Sequence, residues 1–215
     1  MEQELSYQMP RIGDQAPDFN AITTIGNLKL SDYNKDNWVI LFSHPADFTP
    51  VCTTEMSGFA LEKDFFASHQ TKLLGLSIDS IHSHIAWVNA VYEKTNVLFE
   101  FPIIADIDMK IAKLYGMLQP GESETAAVRA VFIIDPIGKI RLVMYYPLNV
   151  GRNMDEIKRT LIALQTSDEH KCAMPLNWKE GDKVIVPAPK TVDTLLERKQ
   201  SDLEMVDWYL AKRNL

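Results

Sequence analysis

The stretch WVILFSHPADFTPVCTTE (residues 38–55) changes from one structural pattern to another within a single short passage. Trp38–Ser43 is apolar and rich in β-branched and aromatic residues, the pattern of a buried strand. A proline-marked loop follows. From Pro50 the spacing predicts a helix to about Ala67, with apolar Phe59, Phe65 and Phe66. A strand that passes through a short loop into a helix opens a β-α-β unit. Cys52, one of 2 cysteines in the 215 residues, falls in the first turn of that helix.

Working outward, residues 72–79 (KLLGLSID) give a second buried strand, and residues 84–94 an amphipathic helix with Ile85, Val88 and Val91 or Tyr92 on one face. Residues 101–106 form a short extended run, and residues 108–117 a brief helix ended by Gly116. Two strands, 128–135 and 139–147, are joined by the tight-turn sequence PIG, and a helix over 153–167 carries Ile157, Leu161 and Leu164 in a stripe. Parallel β-α-β followed by a hairpin and a helix is an α/β, thioredoxin-like arrangement. In front of it, DFNAITTIGNLKL adds an N-terminal β-hairpin turning at Gly26-Asn27.

Residues 1–167 are therefore expected to form one thioredoxin-like domain, and residues 168–215 a C-terminal extension. The texture changes at that point: a proline-rich segment precedes a charged tail that reads as helical from about Thr191 to Arg213. Leu195, Leu196, Leu203, Val206, Trp208, Tyr209 and Leu210 make this tail too apolar to stay in water, so it is expected to cover this chain's core or a partner's.

Composition excludes several functions. A net charge of −7 without clustered Lys and Arg argues against nucleic acid as a partner. The longest apolar runs, such as 38–42 and 131–134, fall far short of the ~20 residues that span a bilayer, so no membrane partner is expected. The acidic start MEQELSYQMP has no apolar signal core, which points to the cytoplasm. Two cysteines without C-x-x-C spacing make neither a disulfide framework nor a zinc knuckle. His44, His69, His82, His84 and His170 are scattered; the pair at 82 and 84 would point to different sides of a helix. Neither a metal nor another cofactor is expected.

Thr49 is placed to cap the helix and Pro50 to start it, so the Cys52 sulfur would lie near unpaired backbone N–H groups that favour negative charge. Two readings stay open on these residues alone. Cys52 is either an inert small hydrophobe or a nucleophile. In CTTE, Glu55 stands where a C-x-x-C pair would have its second cysteine, which removes local disulfide exchange. A hydrolase would need a base, for which His44 is the near candidate.

The motif Pro-x-x-x-Thr-x-x-Cys, met by Pro45, Thr49 and Cys52, resembles the active-site segment of the peroxiredoxins, and SHP and TPVCTTE look like its one-Cys subfamily. The likeness continues through LSIDS, FPIIAD, RAVFIIDP, YYPLNVGRNMDEI and MPLNWKEGDKVIVP. It implies a thiol-dependent peroxidase in which Cys52 attacks hydrogen peroxide or an organic hydroperoxide and becomes a sulfenic acid. Lowering a thiol's pKa from ~8.5 to about 6.5 raises its thiolate fraction at pH 7 about 25-fold, yet weakens the nucleophile about tenfold. Most of the acceleration must come from groups that hold the peroxide. The resemblance assigns that work to Thr49, whose hydroxyl would accept from the peroxide while donating towards the sulfur, and to Arg129 at the start of a strand. Pro45 would exclude water, and His44 would support the cysteine.

The resemblance also implies a homodimer, possibly joined into larger rings, with the 168–215 extension reaching across a partner subunit. Cys172 lies three residues before Pro175 and does not match the Val-Cys-Pro segment that resolves the two-Cys members; it is the second candidate for resolving Cys52. Otherwise the reductant is an external thiol such as glutathione, or a thioredoxin-like protein. The phospholipase reported in some one-Cys relatives is not expected: Asn37, Ser31 and Ile137 stand where its Ser, His and Asp would be. The alternative function is a peroxide sensor or redox-dependent chaperone, in which Cys52 oxidation alters oligomerisation.

Overall fold

The computed structural model describes residues 9–215; residues 1–8, most of the acidic stretch from which the lack of a signal segment was inferred, lie outside the described residues. The chain divides into one packing unit that ends at Arg152 and a second, Asn153–Leu215. That division falls just before the helix at whose far end, residue 167, the sequence reading drew its boundary.

The first unit contains β1 (Asn20–Thr23), β2 (Gly26–Lys29), α1 (Leu30–Asn34), β3 (Trp38–Ser43), α2 (Pro50–Leu61), α3 (Lys63–Ser68), β4 (Thr71–Ser77), α4 (Ile81–Thr95), β5 (Ile103–Ala105), α5 (Lys110–Leu114), β6 (Arg129–Ile134) and β7 (Ile140–Tyr146). Seven strands form one sheet in the order β2-β1-β5-β4-β3-β6-β7. β3, β4 and β5 are parallel, whereas β6 runs antiparallel to β3 and β7 antiparallel to β6. The thioredoxin-like expectation holds, with the hairpin β1–β2 joined at the β5 edge. All six residues of β3 and of β6 are buried, which explains why both read as continuous apolar runs rather than alternating ones.

Three details differ from the sequence reading. The first hairpin turns at Thr24-Ile25, because Thr23 pairs with Gly26 and donates its hydroxyl to the Gly26 carbonyl at 2.7 Å. The helix expected over 50–67 is two helices meeting at Glu62, where φ −92° and ψ 12° break the α geometry. A straight helix that buried Met56, Phe59 and Ala60 would bury positions 63 and 67 next; the break instead turns Phe66 inward. Short α1 was not foreseen. The PIG turn is as expected: Gly138, at φ +81°, donates to the Asp135 carbonyl at 2.8 Å. Gly75 in β4 lets α2 lie close to the sheet, since a Cβ there would sit 3.3 Å from Met56 Cε.

The second unit contains α6 (Met154–His170), β8 (Val184–Val186), α7 (Val192–Lys199), β9 (Glu204–Asp207) and β10 (Leu210–Arg213), the strands forming a sheet in the order β8-β10-β9. Its small core joins Cys172, Trp178 and Val184 to Ile162, Ala163 and Met174. The helix expected from 191 to 213 is corrected here: only α7 is helical. Beyond it, β10 pairs with both β8 and β9. Two-sided strand pairing satisfies the backbone of Leu210–Arg213, and that tertiary gain overrides a weak helical preference.

Candidate active site

The N-terminus of α2 places the cysteine. Phe48 adopts a left-handed conformation at φ 55°, Thr49 is extended, and Pro50 begins the helix. Cys52 is fully buried in the first turn. Thr49 holds the cap position, but its side chain makes no capping bond: the hydroxyl donates to the Ala46 carbonyl at 2.9 Å. Its hydrogen therefore goes to the loop and not towards the sulfur, and its lone pairs stay available to accept. Pro45 is half-buried in the same loop.

Antiparallel pairing of β3 with β6 brings Arg129 to the sulfur across 77 residues of sequence. Phe42 pairs with Val131, so the start of β6 lies beside the end of β3. The Ser43 hydroxyl reinforces this junction by donating to the Val128 carbonyl at 2.5 Å and accepting from the Ala130 N–H at 3.1 Å, one bond on each side of Arg129. The guanidinium then spreads its donors. Nη1 reaches Cys52 Sγ at 3.3 Å and Glu55 Oε2 at 2.7 Å, while Nε and Nη2 are held by the Leu148 carbonyl at 3.0 and 2.6 Å.

Two residues that the sequence reading left without a role complete this network. Glu55, one turn beyond Cys52, receives Arg152 from its backbone N–H and Nε at Oε1 and from Nη2 at Oε2, each at 2.8 Å. Arg152 also donates through Nη1 to the carbonyls of Ser43 at 2.8 Å and Ala130 at 3.0 Å, and lies over the Phe42 and Phe59 rings. Burial alone would raise the Glu55 pKa; the charge and bonds of Arg152, with the charge of Arg129, outweigh it and hold the carboxyl below its ordinary range. Two guanidinium groups against one carboxylate leave one positive charge in excess beside the sulfur.

His44 is fully buried at the end of β3, where its Nε2 meets Asp47 Oδ1 at 2.9 Å. Asp47 Oδ2 meets His84 Nδ1 at 2.8 Å, and His84 Nε2 meets the Ile104 carbonyl at 3.1 Å. The Asp47 N–H donates to Asp79 Oδ2 at 3.0 Å, which pins this loop to the end of β4. Burial pulls the His44 pKa below its ordinary value, and burial would raise that of Asp47, but bonds from His44 and His84 hold the carboxyl below its ordinary range. The ligating atoms of His44, Asp47 and His84 lie within 4.8 Å of one another, close enough to share a cation. The N···O separations are those of hydrogen bonds, however, and the hydrogens they require leave no lone pair on the facing nitrogens. His84 was judged from sequence only against His82; its real partners are Asp47, 37 residues earlier, and the Ile104 carbonyl, 20 residues later.

Cys172 is buried beside Trp178 and Val184, and its thiol faces the Thr166 carbonyl at 3.9 Å. Among the described residues, no helix is long and apolar enough to cross a membrane.

Comparison with known proteins agrees with this geometry. Residues 12–143 match the AhpC/TSA family, and residues 163–201 match the C-terminal domain of 1-Cys peroxiredoxin. A peroxiredoxin of Methanosarcina mazei is 52% identical over 212 residues, covering 94% of this chain and 97% of that protein. Among solved structures, the yeast mitochondrial 1-Cys peroxiredoxin is similar with a TM-score of 0.86 at 40% identity, over 96% of this chain and 100% of the other. A cysteine-to-serine mutant of the peroxiredoxin 6 of Arenicola marina is similar with a TM-score of 0.87 at 34% identity, over 95% and 98%.

Proposed function

Since the chain belongs to the AhpC/TSA family of peroxiredoxins, with the C-terminal domain of the 1-Cys type, and is thus a thiol-dependent peroxidase, we propose that Cys52 reduces hydrogen peroxide and organic hydroperoxides through a sulfenic acid. The Cys52 sulfur, as thiolate, attacks one peroxide oxygen. An S–O bond forms, the O–O bond breaks, and the departing oxygen takes a proton to leave as water or an alcohol. The observation that carries this reading is the Arg129 Nη1 donor, 3.3 Å from Sγ and fixed on its far side by Leu148. A donor already aimed at the reacting sulfur needs no reorganisation as charge moves onto oxygen. Thr49, with its hydrogen committed to Ala46, is suited to accept from the bound peroxide. Pro45 shields the sulfur, and His44 supports the site.

The Cys172 thiol is buried among apolar groups, which favours reduction of the sulfenic acid by an external thiol over a 52–172 disulfide. Glutathione or a thioredoxin-like protein fits that role, and the similar yeast protein was studied for thiol resolution via glutathione/thioredoxin systems. The protein is proposed to act in the cytoplasm as a homodimer, with residues 168–215 serving dimerisation.

Mass spectrometry after one equivalent of peroxide tests the scheme on wild type, Cys52→Ser and Cys172→Ser. The expected product is a sulfenic acid on Cys52 in both proteins that retain it. A prompt 52–172 disulfide would replace the external reductant with Cys172, and oxidation no faster than that of free cysteine would overturn the peroxidase assignment of Cys52.

A further inference from the structure

Residues 147–153, between β7 and α6, belong to no strand or helix, yet they supply both the Leu148 carbonyl and Arg152 to the Cys52 network. Arg129 puts Nε and Nη2 on that one carbonyl oxygen, which fixes the plane of its guanidinium and so the direction in which Nη1 faces Sγ. Leu148 is held at its N–H too, which donates to Glu122 Oε2 at 3.2 Å across 26 residues of sequence. Glu122 is itself anchored. Its N–H donates to the Gln119 carbonyl at 2.8 Å, as does that of Ser123 at 2.9 Å, and the Gln119 side chain donates to the Gly116 carbonyl at 2.8 Å. The loop that carries Glu122 is closed at its base by the Leu118–Ala127 bridge and by the Val128 N–H on the Met117 carbonyl at 2.9 Å, one residue before Arg129. A closed circuit results, from the start of β6 out along the loop to Glu122, over to Leu148, and back through its carbonyl to the Arg129 guanidinium.

We propose that Glu122 is a positioning residue for the peroxide chemistry: its carboxyl holds the Leu148 N–H and thereby keeps the Leu148 carbonyl where it aims Arg129 Nη1 at the Cys52 sulfur. The link to peroxide rests on the reading of Cys52 given above; the positioning of Arg129 stands on the contacts alone. Glu122 is exposed, and water can meet the Leu148 N–H in its place, so little folding stability hangs on this bond. What water does not supply is a fixed point. A donor that must meet the reacting atoms in one direction depends on such a point more than the fold does.

Exchange of the Arg129 Nε–H with water, followed by NMR in the reduced full-length protein, tests the positioning without peroxide; Arg129→Lys identifies the signal. Exchange should be about fivefold faster in Glu122→Ala and near that of wild type in Glu122→Gln, which keeps an oxygen for the Leu148 N–H. In stopped flow, Cys52 oxidation by hydrogen peroxide should slow about fivefold in Glu122→Ala, the equivalent of one hydrogen bond of ordinary strength. Glu122→Gln should slow it by less than about twofold, and both variants should keep the wild-type melting temperature. In an Arg129→Lys background the two-bond fork on Leu148 is already gone, so Glu122→Ala should cost less than about twofold more. An unchanged oxidation rate in Glu122→Ala would overturn the proposal, as would a slower rate with Arg129 exchange unaltered. Equal slowing in both backgrounds would make Glu122 a structural residue and also overturn it, and a Glu122→Gln as slow as Glu122→Ala would rule out the hydrogen bond as the cause. The expected exchange pattern in a wild type whose Cys52 reacts with peroxide no faster than free cysteine would support the positioning of Arg129 and overturn the peroxidase reading instead.

Discussion

At the scale of single residues, two buried arginines flank one carboxylate and do different work. Arg129 touches the sulfur; Arg152 gives its hydrogen bonds to Glu55 and to backbone carbonyls and braces the first arginine through that carboxylate. The difference predicts the outcome of substitution. In Arg129→Lys the charge remains, but a single ammonium cannot serve Sγ, Glu55 and the Leu148 carbonyl from fixed directions. Peroxide oxidation of Cys52 should fall at least about a hundredfold, the usual loss for one preorganised donor, in a stopped-flow assay. Cys52→Ser should abolish peroxide consumption and leave the far-ultraviolet dichroism unaltered. Recovery of more than a tenth of the wild-type rate in Arg129→Lys would mean that charge alone, without the fork, suffices.

At the scale of elements, the site depends on how firmly β3 holds the start of β6. Ser43 takes the place of a ladder residue there, its hydroxyl bonded to both neighbours of Arg129. Ser43→Ala removes one bond each from the Val128 carbonyl and the Ala130 N–H, which keep only their bond to each other at 3.0 Å, a cost of about 1 kcal/mol, so the melting temperature should drop by about 2–4 °C and oxidation should slow with it. An unchanged melting curve would show that the junction relaxes freely. The sequence made β3 and β6 visible because both are buried on two faces and apolar except for Ser43 at the end of one and Arg129 at the start of the other. It also made Cys52, Thr49 and Pro45 visible, since they lie within eight residues of one another. It was silent on Arg152 and His84, because what fixes each is a carboxylate 97 or 37 residues away. Glu55 registered only as a missing cysteine, although its position one turn after Cys52 already put a charge beside the sulfur. The tail was misread for a related reason: the partners of β10 are strands that no local window contains.

At the scale of the whole molecule, the buried carboxylates set the acid limit of stability. Asp47 and Glu55 both sit below their ordinary values of 3.8 and 4.5. Carboxyls depressed in the folded state add stability that is complete above the unfolded-state values and is lost as pH falls through the folded ones. Denaturant titrations should therefore show stability beginning to fall below about pH 6.5, where the unfolded chain protonates His44 and the folded one does not, and falling more steeply below about 4.5 as the carboxyls protonate. Glu55→Gln, which strands the buried charge of Arg152, should be about 3 kcal/mol less stable at neutral pH, and its deficit should narrow in acid. A deficit that does not change with pH would mean that Glu55 contributes packing rather than charge. The second limit is assembly. Val206 in β9 and Trp208 and Tyr209 in the β9–β10 turn are 70%, 45% and 54% exposed in the isolated chain, and none of them belongs to the small core around Trp178. Two large aromatics left in water are a liability for a protein that works alone and an anchor for one that does not. Sedimentation velocity at micromolar concentration should show a dimer, and Trp208→Glu, which alters no residue of the Cys52 network, should shift it towards monomer without changing the secondary structure. A wild-type monomer under those conditions would leave the exposed tail without a purpose and would refute the dimer.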